Sequence, residues 1–237
     1  HGCIIIQMGW ACNMLTDELG DVIVNVKKIT EGLLLKPIPE PSVERLLILV
    51  RLLDHLAVQF ITSGEIEGRT GWSSNTIRKD ISYIEGSFAS PAGYDRQKLA
   101  QAIKSTLGLD KVQRFCVVGL GRLGSAYLNY PVFSDEGYEL VAGFDSSVNR
   151  IEILHSPVPL YPAYKMGEVI SRFQIVLALL CVPPEEAQKT AERLVSAGIK
   201  GIINFAPVVL QVPEGVRVRN VNVVDELRAI SATIQCS

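Results

Sequence analysis

Six consecutive residues, Gly119-Leu120-Gly121-Arg122-Leu123-Gly124, and a carboxylate 21 positions beyond the last of them, Asp145, have the types and spacing to hold a nucleotide. The apolar run Phe115–Val118 precedes the glycines and reads as a strand, and a helical pattern follows them. In that context the first glycine permits a tight turn, the second lets a pyrophosphate approach the backbone, and the third lets helix and sheet pack closely. The helix start offers free N–H groups to the phosphates. Asp145 ends the next strand-like run. A carboxylate there accepts hydrogen bonds from adenosine ribose hydroxyls and repels a 2′-phosphate, which favours NAD(H) over NADP(H).

A second set of residues has the chemistry to read a duplex. Ser74, Asn75, Arg78 and Lys79 lie on a short helical stretch whose Ile77, Ile81 and Ile84 fall on one face. The opposite face then carries Asn75, Arg78, Lys79 and Ser82. Arginine and lysine suit phosphates or guanine edges, and asparagine suits adenine edges. An ordinary solvated helix face has the same composition. Residues 36 to 100 hold eight Lys plus Arg against eight Asp plus Glu, so this region lacks a basic electrostatic footprint.

Other reactive side chains read more simply. Cys3, Cys12, Cys116, Cys181 and Cys236 form no C-x-x-C pair, and His1, His55 and His155 stand alone. The pattern suggests reduced cytosolic thiols and no metal site. Cys181 ends a core strand and reads as a small buried hydrophobe rather than a nucleophile. His155, beside Pro157, reads as a surface histidine. Asn204-Phe205-Ala206-Pro207 follows a strand at the edge where doubly wound sheets bind ligands; it suits a nicotinamide pocket or a plain proline turn.

The elements that must position these groups follow from pattern. The chain has 237 residues, 48% of them hydrophobic and 20% charged, with a net charge of −2. That is enough for one large core or two small ones, and it excludes a largely disordered chain or a generally basic nucleic-acid coat. The apolar runs are too short to span a bilayer, so no membrane partner is expected. The chain opens on His1 rather than Met, which suggests a fragment or a misjudged start, and residues 1–36 form an extension of unknown role.

After Pro37, Pro39 and Pro41, Ser42 is placed to cap a helix running to Phe60, with Val43, Leu46, Leu47, Val50, Leu53 and Leu56 as its buried stripe. Ser63 starts a second helix that Gly71 stops, and Ser73 or Ser74 caps the third; Gly86, Pro91 and Gly93 mark a turn region. Three short helices and a hairpin suggest a winged helix-turn-helix. From residue 113, strand-like runs at Phe115–Val118, Leu140–Phe144, Ile175–Leu180, Gly201–Asn204 and Val216–Val221 alternate with helical patterns. The expected fold class is therefore α/β, a winged helix followed by a Rossmann-like, doubly wound parallel sheet. Asp95–Leu107 reads as a linking helix and Val224–Ile234 as a terminal one. The expected divisions are 37–100, 101–221 and 222–237.

Taken together these residues resemble the redox-sensing repressor family Rex of bacteria. The likeness runs from about residue 37 to the C-terminus. It is carried by Ile38-Pro39, Arg45-Leu46, Ile77–Tyr83, Gly93-Tyr94, Val118–Gly124, Asn129-Tyr130-Pro131, Ala197–Gly201, Asn204–Val208, Val212-Pro213 and Asn220-Val221. The resemblance implies a homodimer with C-terminal helices exchanged between partners. It also implies binding to double-stranded operator DNA with NAD+ and release of that DNA when NADH binds. It assigns Asn75, Arg78 and Lys79 to DNA. To the dinucleotide it assigns the glycine loop, Asp145, Cys181-Val182-Pro183 and the Asn204–Ala206 turn, and to a switch region Arg51, Tyr130 and Asn222.

Three departures accompany the likeness. The segment Glu85–Gly93 has no Lys or Arg where the family's wing carries cations, which lowers expected DNA affinity and salt dependence. Asn222 stands where the family has an Asp able to pair with Arg51. Residues 1–36 have no family counterpart. A small NAD-dependent dehydrogenase is the rival reading, but about 16 residues follow the last strand and no proton donor marks the nicotinamide turn. A regulator that binds NADH or another adenine nucleotide, such as coenzyme A, without binding operator is the third.

Overall fold

The computed structural model describes residues 37–236, so the extension 1–36 lies outside the described residues. Two compact units divide between Gly108 and Leu109.

The first unit is built on α1 (Glu40–His55), β1 (Phe60–Ile61), α2 (Ser63–Thr70), α3 (Ser74–Ile81), the hairpin β2 (Ala89–Ser90) and β3 (Gly93–Asp95), and α4 (Arg96–Thr106). The core gathers Leu46, Leu49, Val50 and Leu53 of α1, Ile66 of α2, Ile77 and Ile81 of α3, and Leu99 and Ile103 of α4. Fully burying a leucine such as Leu46 or Leu53 contributes about 2 kcal/mol. The strands form one antiparallel sheet in the order β1-β3-β2. This is a helix-turn-helix with a wing.

Here the structure corrects several expectations. The first helix begins at Glu40, with Pro39 before it, and Ser42 sits buried inside the helix instead of capping it. Its stripe uses Leu49 in place of Leu47, which is exposed. The helix ends at His55, and Phe60 pairs with Asp95 in the sheet, because Val58-Gln59-Phe60-Ile61-Thr62 favours extended backbone. The expected boundary at residue 100 falls within α4. Leu99, Ala100 and Ile103 bury themselves in the first core, so the division comes after Gly108.

The second unit holds β4 (Gln113–Val118), α5 (Arg122–Leu128), α6 (Val132–Asp135), β5 (Tyr138–Asp145), α7 (Val148–Ile153), β6 (Leu160–Pro162), α8 (Met166–Phe173), β7 (Leu177–Leu180), α9 (Pro184–Ser196), β8 (Gly201–Asn204), β9 (Arg217–Asn220) and α10 (Val223–Cys236). All its strand pairs are parallel. Their order is β6-β5-β4-β7-β8-β9, so the winding direction reverses between β4 and β7. Ligands in such sheets bind outside the strand ends at that reversal.

Both faces of the sheet are covered. Cys116, Val118, Ala142 and Phe144 pack with Val169, Ile170, Ala187, Ala191 and Leu194, while Phe115, Val117, Leu120 and Leu128 form the other layer. Sequence pattern did not indicate α7 and β6, since neither is long enough to show a period. Helix α10 buries none of its residues. Among the described residues, no helix is long and apolar enough to cross a membrane.

Candidate functional site

The glycine loop joins β4 to α5 at the reversal point. Gly119 has φ +88°, a backbone conformation that side chains resist. A Cβ there would lie 2.6 Å from the Cys181 carbonyl oxygen and 2.9 Å from Val182 Cγ1, so the loop is sealed against the end of β7. A Cβ at Gly124 would meet the Gly119 carbonyl oxygen at 1.9 Å, which fixes how closely α5 crosses the loop. Gly121 differs: no atom lies within 4 Å of its would-be Cβ. It precedes α5 with no side chain bonded to the helix start, leaving backbone open on that side. Leu120 is buried, whereas Arg122 and Leu123 are exposed beside the open face.

Asp145 ends β5 and is only 3% exposed. Its Oδ2 accepts the Leu120 N–H at 2.7 Å, and its Oδ1 accepts the Ser147 N–H at 2.8 Å. Arg150 Nη1 donates to the two oxygens at 2.9 and 2.8 Å. The carboxylate therefore ties the glycine loop to α7. Sequence reasoning missed Arg150; its place five residues after Asp145, on the next element, is the signal that would have found it.

Across the reversal, β7 and β8 bring together Cys181, Val182, Asn204, Phe205 and Ala206. The Asn204 side chain is fully buried: Nδ2 donates to the Ala206 and Val208 carbonyls and to Asn220 Oδ1, while Oδ1 accepts the Ala206 N–H. The Phe205 ring lies 5.2 Å from that of Tyr127 on α5, and Tyr127 continues to Tyr130 and Phe133 at 6.5 and 6.0 Å. Tyr127 was also missed, since it reads as an ordinary helix residue. Burial pushes the Cys181 thiol up to about 12 and raises Tyr127. Pro183 precedes α9 and is exposed. His155 is exposed, and among the described residues no group of His, Cys, Asp and Glu could hold a metal.

In the first unit, α3 presents Asn75, Arg78, Lys79 and Ser82 outward while Ile77 and Ile81 are buried. Arg78 Nη2 donates to Asn75 Oδ1 at 2.6 Å and Nη1 to Ser63 Oγ at 3.0 Å, which orders the exposed polar face. Ser74 is differently occupied: its N–H and hydroxyl both donate to Glu67 of α2. That bond holds Glu67 below the usual carboxylate range. Arg51 is exposed on α1. Tyr130 is half exposed beyond α5, and Asn222 caps α10 by accepting the Val224 N–H at 3.0 Å.

Two family models match: "CoA binding domain" over residues 110–208 and "Putative DNA-binding protein N-terminus" over residues 37–82. The redox-sensing transcriptional repressor Rex of Thermus thermophilus is 39% identical over 207 residues, covering 83% of this chain and 94% of the relative. That of Limosilactobacillus reuteri is 36% identical over 198 residues, covering 82% and 92%.

The chain belongs to the Rex family. Among solved structures, the Rex-family repressor RSP with β-NAD+ and operator DNA is 32% identical with a TM-score of 0.78, covering 84% of this chain and 93% of RSP. RSP with β-NADH gives a TM-score of 0.74, covering 83% and 94%. Rex membership accounts for both halves of the chain, the winged helix and the dinucleotide-type sheet.

Proposed function

We propose that this protein is a DNA-binding transcriptional repressor, not an enzyme, that senses the NADH/NAD+ ratio and releases operator DNA when NADH binds. The observation that carries the dinucleotide half of this reading is the glycine loop, closed at Gly119 and Gly124 and open at Gly121. A pyrophosphate fits that open backbone, with the N–H groups at the start of α5 as donors. The adenosine end falls at Asp145 and the nicotinamide end beside Cys181, Val182, Pro183, Asn204, Phe205 and Ala206.

Reduction of the nicotinamide ring removes its positive charge. Those six pocket residues carry no charge, so an oxidised ring would lose hydration without gaining a counter-ion, and the pocket favours the reduced form. Relatives named as repressors, and a relative solved with operator DNA, support the other half of the reading. Asn75, Arg78 and Lys79 of α3 contact the duplex, with Ser74 anchoring the helix start.

The DNA-binding domain begins at residue 37 and takes in α4. The dinucleotide domain follows to residue 221, and residues 222–237 supply a helix exchanged in a homodimer. On α10, Val223, Leu227, Ile230 and Ile234 form an exposed apolar stripe at helical spacing, the face such an exchange would cover. NADH acts by favouring one arrangement of the dimer, with Arg51, Tyr130 and Asn222 in the switch region. The protein works in the cytoplasm.

The wing favours a second reading, a dinucleotide-binding regulator without operator binding, because Glu85–Gly93 brings no cation to DNA. Fluorescence anisotropy on a bacterial Rex operator duplex, alone and with NAD+ or NADH, separates the two. Binding that NADH abolishes establishes the repressor. Intact NADH binding without operator binding establishes the second reading.

A further inference from the structure

The long polar side chains on the exposed face of α3 offer hydrogen-bond donors. Asn75 and Arg78 stand at i and i+3, so they are neighbours along one edge of the helix. Arg78 Nη2 donates to Asn75 Oδ1 at 2.6 Å, and Arg78 Nη1 donates to Ser63 Oγ, at the start of α2, at 3.0 Å. The two bonds hold the guanidinium across the helix-turn-helix. They also occupy the Asn75 carbonyl, so its amide turns only the Nδ2 hydrogens to a ligand. Lys79, exposed on the same helix, is a donor only.

An asparagine that reads adenine uses both ends of its amide, the oxygen accepting from N6 and the nitrogen donating to N7. With Oδ1 held by a guanidinium, that pairing would first break a charge-assisted hydrogen bond. The remaining Nδ2 hydrogens suit a keto oxygen. In the major groove guanine shows O6, and thymine O4, where adenine and cytosine show an amino group. An amino group facing Nδ2 would leave donors opposed to donors.

We propose that Asn75 reads the operator as a donor, bonding the keto oxygen of guanine or thymine and not the amino group of adenine or cytosine at the base pair it faces. The inference rests on the operator-binding reading above and adds the base chemistry that α3 selects. Asparagine by type suits adenine; here Arg78 takes the acceptor that adenine would need. Asn75 is then a specificity-determining residue, and Arg78 is the group that sets which way its amide speaks to DNA.

Anisotropy titrations of the full chain, wild type beside Asn75→Ala and Asn75→Asp, on a bacterial Rex operator duplex test it. Single base-pair changes first locate the pair whose preference Asn75→Ala flattens. At that pair the keto oxygen is then deleted by 2-aminopurine for guanine or 5-methyl-2-pyrimidinone for thymine. The amino group is deleted separately by purine for adenine or 2-pyrimidinone for cytosine. Any weakening of the base pair itself acts on every variant alike and cancels in the comparison. Deleting the keto oxygen is expected to weaken wild type at least about fivefold and Asn75→Ala less than about twofold, whereas deleting the amino group should weaken both by the same factor. Asn75→Asp, whose oxygens can only accept, should depend on the amino group instead. Wild-type binding that depends through Asn75 on the amino group would overturn the inference alone. So would base preferences that Asn75→Ala leaves unchanged at every pair, or an Asn75→Asp variant that still depends on the keto oxygen. Failure of wild type to bind the operator would overturn the operator-binding reading together with it.

Discussion

Arg45 on α1 grips Asp80 on α3 with two guanidinium nitrogens, Nε donating to Oδ2 at 2.5 Å and Nη2 to Oδ1 at 2.8 Å. Asp80 is nearly buried and Arg45 only a quarter exposed, so the pair is part of the first unit's interior wall. The hydrogen bond to Asp80 raises the Arg45 pKa above its ordinary value. Removing the arginine strands a buried carboxylate. Arg45→Ala is expected to cost about 3 kcal/mol of first-unit stability in urea unfolding. NADH affinity should stay unchanged, since neither residue belongs to the second unit.

The three glycines of the loop should separate into two behaviours. Gly124→Ala drives a Cβ into the Gly119 carbonyl, and loss of both NADH binding and thermal stability is expected. Gly121→Ala meets no atom of the protein. It should leave the melting temperature within about 2 °C while weakening NADH at least about tenfold, because its methyl occupies the space the pyrophosphate needs. Calorimetric titration beside a thermal melt reads both.

The bond between Glu67 and Ser74 joins the two helices of the helix-turn-helix and gives a pH signature. The Glu67 pKa is depressed in the folded protein by the Ser74 hydroxyl and N–H. Its contribution is therefore complete above the unfolded carboxylate pKa of about 4.3 and is lost as pH falls through the lower folded value. Thermal melts of wild type and Glu67→Ala should differ by a constant amount from pH 5 to 8 and converge in stronger acid.

Burial pushes the Cys181 thiol up to about 12, which leaves roughly one part in 10⁴ as thiolate at pH 8. Iodoacetamide at that pH should leave Cys181 unmodified in the folded protein and alkylate it after denaturation, as peptide mass mapping would show. Rapid modification in the folded state would contradict the sealed contact between Cys181 and Gly119.

Asn222 should behave as a helix cap. Asn222→Ala removes the acceptor for the Val224 N–H and is expected to cost about 1 kcal/mol. Asn222→Asp keeps the cap and adds the charge that the resemblance to the family implies there. In anisotropy titrations it should lower the NADH concentration needed to release operator.

The glycine loop and the strands around it were legible because their signal is local: three glycines at fixed offsets between an apolar run and a helix, with Asp145 at the next strand end. The outward face of α3 was legible for the same reason, since Ile77 and Ile81 fix which side is inside. Arg150 escaped because α7 spans only six residues and shows no apolar period. The buried stripe of α1 escaped in part because Leu47, Ile48 and Leu49 are equally apolar, and only the position of α3 and α4 decides that Leu49 goes inside. Ser42 looked like a cap by type, but Arg45 Nη2 reaches its hydroxyl at 3.3 Å, a bond no sequence window reveals.

The Asn204 amide, fully buried, has bonds on both its oxygen and its nitrogen to the turn that follows β8 or to β9. The floor it supports is therefore built before any ligand arrives, and little ordering remains to be done on encounter. For a sensor this has a temporal consequence. Association should run at about the 10⁵–10⁷ M⁻¹s⁻¹ of rigid partners for both redox forms, leaving the difference between them to residence time. A cell's shift in redox state would then be registered at the pace of ligand departure, and the lag of the response would be set by the slowest molecule to leave.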